Sequence, residues 1–133
     1  MPFGPEPLGL AYFAAVKLAG YSVAGYRLNR LCGTARPHPA LFGVARTALG
    51  LAAGVGFGTL ALRLGLGGPG PLFYVALAPV RLLEWLLILW LFYRTMNETR
   101  WLGCALAGSA WSYVLDLPAM LAVFVLPGGA WIC

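Results

Sequence analysis

The chain has 133 residues, of which 61% are hydrophobic and only 10% charged, and its mean hydropathy is +0.82. A soluble domain carries about 25% charged residues, and a small one leaves much of its surface in water, so this composition argues against a soluble domain and favours a membrane protein. The net charge of +5 comes from basic residues scattered singly between apolar runs, which argues against nucleic acid as a partner.

Four apolar stretches follow one another along the chain, each near the ~20 residues that cross ~30 Å of hydrocarbon as a helix. They are predicted at about residues 8–28, 40–64, 72–93 and 101–126. Glycine and proline fall mainly between these stretches, where turns are expected. The predicted fold is therefore all-α: a polytopic membrane protein with one domain over residues 1–133, built as a four-helix transmembrane bundle.

The basic residues outside the spans are unevenly distributed. The first and third loops hold five arginines, whereas the second loop and the two tails hold only Arg63: the five are Arg27, Arg30, Arg36, Arg94 and Arg100. Because cytoplasmic loops carry the excess of Lys and Arg, both termini are predicted outside the cytoplasm. The expected location is a membrane, specifically the bacterial inner membrane, with the lipid bilayer as a partner.

Four charged residues lie well inside the predicted spans: Lys17, Arg81, Glu84 and Asp116. At 1.5 Å per residue, Lys17, Arg81 and Asp116 each lie roughly 15 Å below the outer surface, and Glu84 one turn deeper. Ionised groups at this depth turn away from lipid and pair. Arg81 and Glu84 are three residues apart on one helix and can touch, which leaves Lys17 and Asp116 as partners between the first and fourth spans.

Two interpretations of this layer stay open. The first is a closed ion-pair network that fixes helix packing. The second is a polar cavity that binds or passes a small solute, ion or proton, with Ser112, Trp111 and Tyr113 as candidate lining residues. Arg46, about six residues into the second span, is expected to extend its long side chain to the interface instead of joining the layer.

Small residues at four-residue spacing predict close helix packing. Gly50, Gly54 and Gly58 form a double G-x-x-x-G stripe on the second span, and Gly108 lies on a similar stripe of the fourth. Such stripes let membrane helices approach closely. Packing within the chain is the expected use, and homo-oligomerisation is the alternative.

No cofactor and no metal are expected, since the single histidine, His38, has no partner at ligand spacing and no C-x-x-C pair occurs. Three functions remain. The charged layer favours binding or transport of a small solute or ion, with a homo-oligomer expected. Short loops and tails fit equally a non-catalytic subunit or assembly factor of a larger membrane complex. An intramembrane lipid-modifying enzyme is the third, although no catalytic motif is present and the chain is not expected to be an enzyme.

Overall fold

The computed structural model describes residues 7–34, 37–65 and 71–121. These residues form four α-helices and no strand, which confirms the predicted all-α, four-helix fold. The helices are α1 (Pro7–Cys32), α2 (Pro39–Arg63), α3 (Pro71–Phe92) and α4 (Glu98–Leu121). α1 runs four residues beyond its predicted end, and α4 begins three residues before its predicted start. Residues 122–126, the predicted end of the fourth span, lie outside the described residues.

Local sequence signals account for the helix ends. Proline at the first position of α1, α2 and α3 lacks an N–H that a helix start would leave unsatisfied. α1 ends at Cys32, and the next residue, Gly33, has a φ of +62°, a conformation that favours glycine. The Thr34 N–H then bonds the Asn29 carbonyl at 3.0 Å in a Schellman arrangement. At the start of α4, the Asn97 side-chain oxygen accepts from the Thr99 N–H at 3.4 Å. Polar caps thus set the turns between helices.

The helices pack most closely as the sequential pairs α1 with α2 and α3 with α4, while α2–α3 and α1–α4 contacts close the bundle. A large apolar core at one end contains Phe42, Trp85 and Leu89, and a smaller one at the other end contains Phe73 and Leu77. Along α3, residues 81–84 fall between the two cores. A polar layer therefore divides the interior.

Many large apolar side chains are exposed while several charged ones are buried, which is unlike a water-soluble bundle. Leu83, Val75 and Val55 are 64–70% exposed, whereas Arg46 and Arg81 are at most 1% exposed. Large apolar side chains are exposed on all four helices. α2 and the Leu72–Phe92 part of α3 are long and apolar enough to cross a membrane by length and composition. Buried charge and exposed leucine are the reverse of the usual preference in water.

Candidate functional site

Five charged side chains from all four helices meet in the polar layer, and we call them the charged cluster: Lys17, Arg46, Arg81, Glu84 and Asp116. Each is at most 8% exposed. Four of them were predicted from their depth in the sequence, and the fifth, Arg46, was not. An ionised group buried at this level is costly unless it is paired and hydrogen-bonded, so the geometry of the pairs decides what the cluster can do.

Asp116 on α4 binds two bases at once. Its Oδ1 lies 2.5 Å from Lys17 Nζ on α1, as the sequence predicted, and its Oδ2 accepts from Arg81 Nη2 on α3. Lys17 Nζ also donates to the Ser112 carbonyl at 3.3 Å. One carboxylate therefore links three helices through charge-assisted hydrogen bonds, the strongest kind that side chains make.

Glu84 binds Arg46 of α2, with Oε2 2.5 Å from Arg46 Nη2. The expected partner of Glu84 was Arg81, which instead binds Asp116. The expectation that Arg46 extends to the interface is wrong, because its side chain is fully buried. At 1.5 Å per residue, Arg46 lies roughly 10 Å from the start of α2 and Glu84 roughly 12 Å from the end of α3, and these two ends are joined to the same side of the bundle by the up-and-down chain path, so the depths match. That agreement is the signal in the sequence that would have identified the pair.

Ser112 joins the two halves of the cluster. Its Oγ accepts from Trp85 Nε1 at 2.9 Å and from the Tyr21 hydroxyl at 3.1 Å, and donates to the Gly108 carbonyl at 3.1 Å. Arg46 Nη2 approaches the same oxygen at 3.5 Å. Ser112, predicted as a lining residue, is therefore fully bonded at the centre of the bundle, and Tyr21 and Trp85 are additional members that periodicity did not reveal.

Aromatic rings surround the cations. The Arg46 guanidinium carbon lies 4.9 Å from the Tyr21 ring centre and 5.3 Å from that of Trp85, and Arg81 lies 4.6 Å from the Tyr113 ring centre. A cation within about 6 Å of an aromatic face is attracted by the ring quadrupole, more strongly when water is excluded. The rings partly replace the hydration that these cations lost.

The cluster is not fully satisfied at Arg46. Its Nε and Nη1 are buried without a hydrogen-bond partner, as is the Thr47 hydroxyl one residue further along α2. A small cavity of about 10 Å³ lies beside them, lined by Phe13, Lys17, Tyr21, Thr47, Gly50 and Leu51. Arg46 Nη1 lies 3.1 Å from the position of a Cβ added at Gly50, which is one of these lining residues. The unbonded Thr47 hydroxyl thus belongs to a residue that lines a space about the size of one water molecule, with an Arg46 nitrogen close to that lining.

Charge adds to this imbalance. Among the described residues, the charged cluster contains three bases and two carboxylates, an excess of one positive charge. The four residues predicted from sequence comprise two bases and two acids, so their charges cancel. The inclusion of Arg46 adds a third base. Hydrogen-bond donors without acceptors next to surplus positive charge favour a negatively charged or strongly accepting ligand.

The other two residues predicted to line a cavity, Trp111 and Tyr113, each bond a backbone carbonyl of another helix. Trp111 is partly exposed, and its Nε1 donates to the Gly20 carbonyl at 3.0 Å; the Tyr113 hydroxyl donates to the Tyr74 carbonyl at 2.9 Å. A Cβ at Gly108 would overlap the Trp85 ring, so this glycine does permit close packing.

The α2 stripe behaves differently from Gly108. A Cβ added at Gly50 would lie 3.1 Å from Arg46 of its own helix, while Gly54 is half-buried and Gly58 is buried. Between α1 and α2, a Cβ added at Gly25 would meet Phe42, and one added at Gly43 would meet Ser22. Close packing of α1 on α2 therefore uses glycines that the four-residue spacing did not single out.

Within the described ranges, no group of three His, Cys, Asp or Glu side chains comes together that would hold a metal ion. No protein-family model, curated protein or solved structure matches this chain. The geometry of the charged cluster is therefore the basis for the proposed function.

Proposed function

We propose that the chain is an integral membrane protein with four spans that binds a small inorganic anion at its charged centre, as the central step of anion transport. The membrane placement is supported by the exposure of large apolar side chains, mainly leucine and valine, together with the burial of Arg46, Arg81 and Asp116. In lipid, exposed apolar side chains are solvated and ionised ones must be enclosed by the bundle. The uneven arginine distribution supports an orientation with both termini outside the cytoplasm.

The observation on which the ligand rests is Arg46. It is fully buried, binds one carboxylate, and keeps two nitrogens without a hydrogen-bond partner, and the next residue, Thr47, has an unbonded buried hydroxyl. An anion there would accept from guanidinium and hydroxyl and would offset the excess positive charge of the described cluster. The cavity of about 10 Å³ favours a small monovalent ion, because it holds about one water-sized sphere. Passage across the bundle would require the surrounding side chains to move.

Halide-dependent stability tests ion binding. The full chain in mild detergent would be unfolded thermally in sodium fluoride, chloride or bromide, each against sodium gluconate at equal ionic strength. A ligand at 100 times its dissociation constant stabilises the folded state by about 2.7 kcal/mol, and we expect the smallest halide to give the largest rise in Tm. Thr47→Val should reduce that rise without lowering Tm in gluconate, because it removes an unbonded buried hydroxyl.

Thr59→Val is the matched control. It lies on the same helix, but its hydroxyl is exposed and bonded to the Gly56 carbonyl, so the halide response should match wild type. Equal Tm in all four salts would contradict anion binding. Halide efflux from liposomes containing the chain, lost in Thr47→Val and kept in Thr59→Val, would extend binding to transport.

Cys32 tests the orientation. It is exposed at the end of α1, in the part of the chain proposed to face the cytoplasm. A membrane-impermeant maleimide should label it only after cells are opened, in a variant where Cys104 and Cys133 are serine. Labelling on intact cells would contradict the orientation.

A second function is favoured by a specific observation: the cluster is enclosed and its charged members bond one another, beside a water-sized cavity. Such a network can serve packing alone, in a non-catalytic subunit or assembly factor of a membrane complex. This alternative predicts no halide effect and a stable hetero-subunit in mass measurements of the gently purified protein. A self-associated species would instead indicate a homo-oligomer, which the α2 glycine stripe would suit.

A further inference from the structure

A groove runs between α1 and α4 beside the large apolar core. It encloses about 400 Å³, and its walls include Val23, Leu28, Leu31, Trp85, Ala107 and Trp111. Gly108 leaves room for the Trp85 ring in the wall of the groove, and the lining residue Trp111 bonds the Gly20 carbonyl of α1. The groove extends over residues 23–31 of α1, about 12 Å at 1.5 Å per residue. Its shape and apolar walls suit the first half of an acyl chain.

A wider, more polar pocket of about 750 Å³ lies at the C-terminal end of α1 and the start of α4. Leu31, Cys104 and Ala107 line both spaces, so the pocket adjoins the groove. Hydrogen-bonding groups enter the pocket from the loop between α3 and α4, notably Asn97 and Thr95. The apolar groove thus lies next to a more polar pocket.

Two arginines line these spaces and indicate that the ligand is negatively charged. Arg27 is one of the residues that line the groove, and Arg100 lines the pocket. Both are exposed, and neither forms an ion pair with a described carboxylate. A guanidinium binds phosphate oxygens through two parallel hydrogen bonds. The polar end of the groove is therefore complementary to an anionic phosphate.

We propose that this groove and pocket bind one anionic glycerophospholipid, with an acyl chain against Trp85 and Trp111 and the headgroup phosphate at Arg100 and Arg27. The inference rests on the membrane placement proposed above, where such lipids surround the chain, but not on anion transport at the charged cluster. The bound lipid would fill the space that α1 and α4 leave open and would hold their ends together.

The first test measures lipid retention by native mass spectrometry of the full chain, with phosphatidylglycerol or phosphatidylcholine added to the detergent. Wild type should retain one phosphatidylglycerol in preference to phosphatidylcholine. Ala107→Phe fills the groove and should abolish retention, whereas Ala110→Phe, on an exposed position of the same helix, should keep it. Equal retention of both lipids by wild type, or equal retention by the two variants, would overturn the proposal.

The second test uses the thiol that lines both spaces. With Cys32 and Cys133 changed to serine, phosphatidylglycerol should slow alkylation of Cys104 by N-ethylmaleimide several-fold more than phosphatidylcholine does. Arg100→Gln should reduce that preference about five-fold, which corresponds to about 1 kcal/mol for one basic residue near an anionic lipid surface. Arg94→Gln is the control, because Arg94 lies in the loop just before α4 but stacks on Trp90.

An unchanged preference in Arg100→Gln would contradict the headgroup assignment. Flotation of the chain with phospholipid vesicles tests the membrane placement separately from the lipid site. A chain that floats but shows no lipid preference refutes the lipid site alone, and a chain that does not float refutes the membrane placement as well. The halide measurements report on the charged cluster independently of both.

Discussion

Replacing Asp116 by asparagine should destabilise the protein more than any other single change in the charged cluster. Asp116 forms ion pairs with Lys17 and Arg81, whereas Glu84 forms one with Arg46. Removing one partner of a buried pair costs about 3–5 kcal/mol, because the remaining charge is left uncompensated. We expect about 3 kcal/mol for Glu84→Gln and about 5 kcal/mol for Asp116→Asn, a difference of about 2 kcal/mol set by the second orphaned base.

The assay is reversible unfolding in mixed micelles by titration with sodium dodecyl sulfate, followed by tryptophan fluorescence. A difference of 2 kcal/mol corresponds to about a 30-fold change in the unfolding equilibrium constant. Adding Lys17→Met to Asp116→Asn removes one orphaned charge, so the double variant should regain at least about 1 kcal/mol, within the range that contacting residues show in double-mutant cycles. If Asp116→Asn is no more harmful than Glu84→Gln, or if the effects in the double variant are strictly additive, the second orphaned base does not set the difference.

Further substitutions test packing and bonds away from the charges. Gly108→Ala should cost about 1–3 kcal/mol by overpacking against the Trp85 ring, as measured by the same titration. Gly103→Ala, on the same helix with open space at its Cβ, should instead stabilise by about 0.5–1 kcal/mol, and a loss there would contradict the packing account. Tyr93→Phe should cost about 1–3 kcal/mol, because it leaves the buried Asn29 side-chain oxygen without its 2.6 Å bond; an unchanged midpoint would contradict that bond.

The four helices could be predicted from sequence because their apolar runs are long and because proline and glycine fall between them. The ends were less predictable, since they depend on local hydrogen bonds. α1 continues to Cys32 through the polar residues Asn29 and Arg30, because Gly33 and not hydropathy ends it. Hydropathy marks where a helix meets lipid, while caps mark where the backbone turns.

The charged cluster was only partly predictable. Depth along the helices identified Lys17 and Asp116 as partners, but spacing within one helix suggested Arg81 and Glu84, which bind other residues. Pairing depends on which faces two helices turn toward each other, and a single sequence does not state those rotations. Arg46 was misread for the same reason: its distance from the interface permits either an outward or an inward side chain.

The most direct test of the account is the environment of position 83. Leu83 is 65% exposed although it lies on α3 between Arg81 and Glu84, which are 1% and 8% exposed. A spin label at Leu83→Cys, in a chain without native cysteines reconstituted in liposomes, should be relaxed strongly by oxygen and weakly by a water-soluble nickel chelate. Strong relaxation by the nickel chelate would place this face in water and contradict a bundle that encloses its charges within a bilayer.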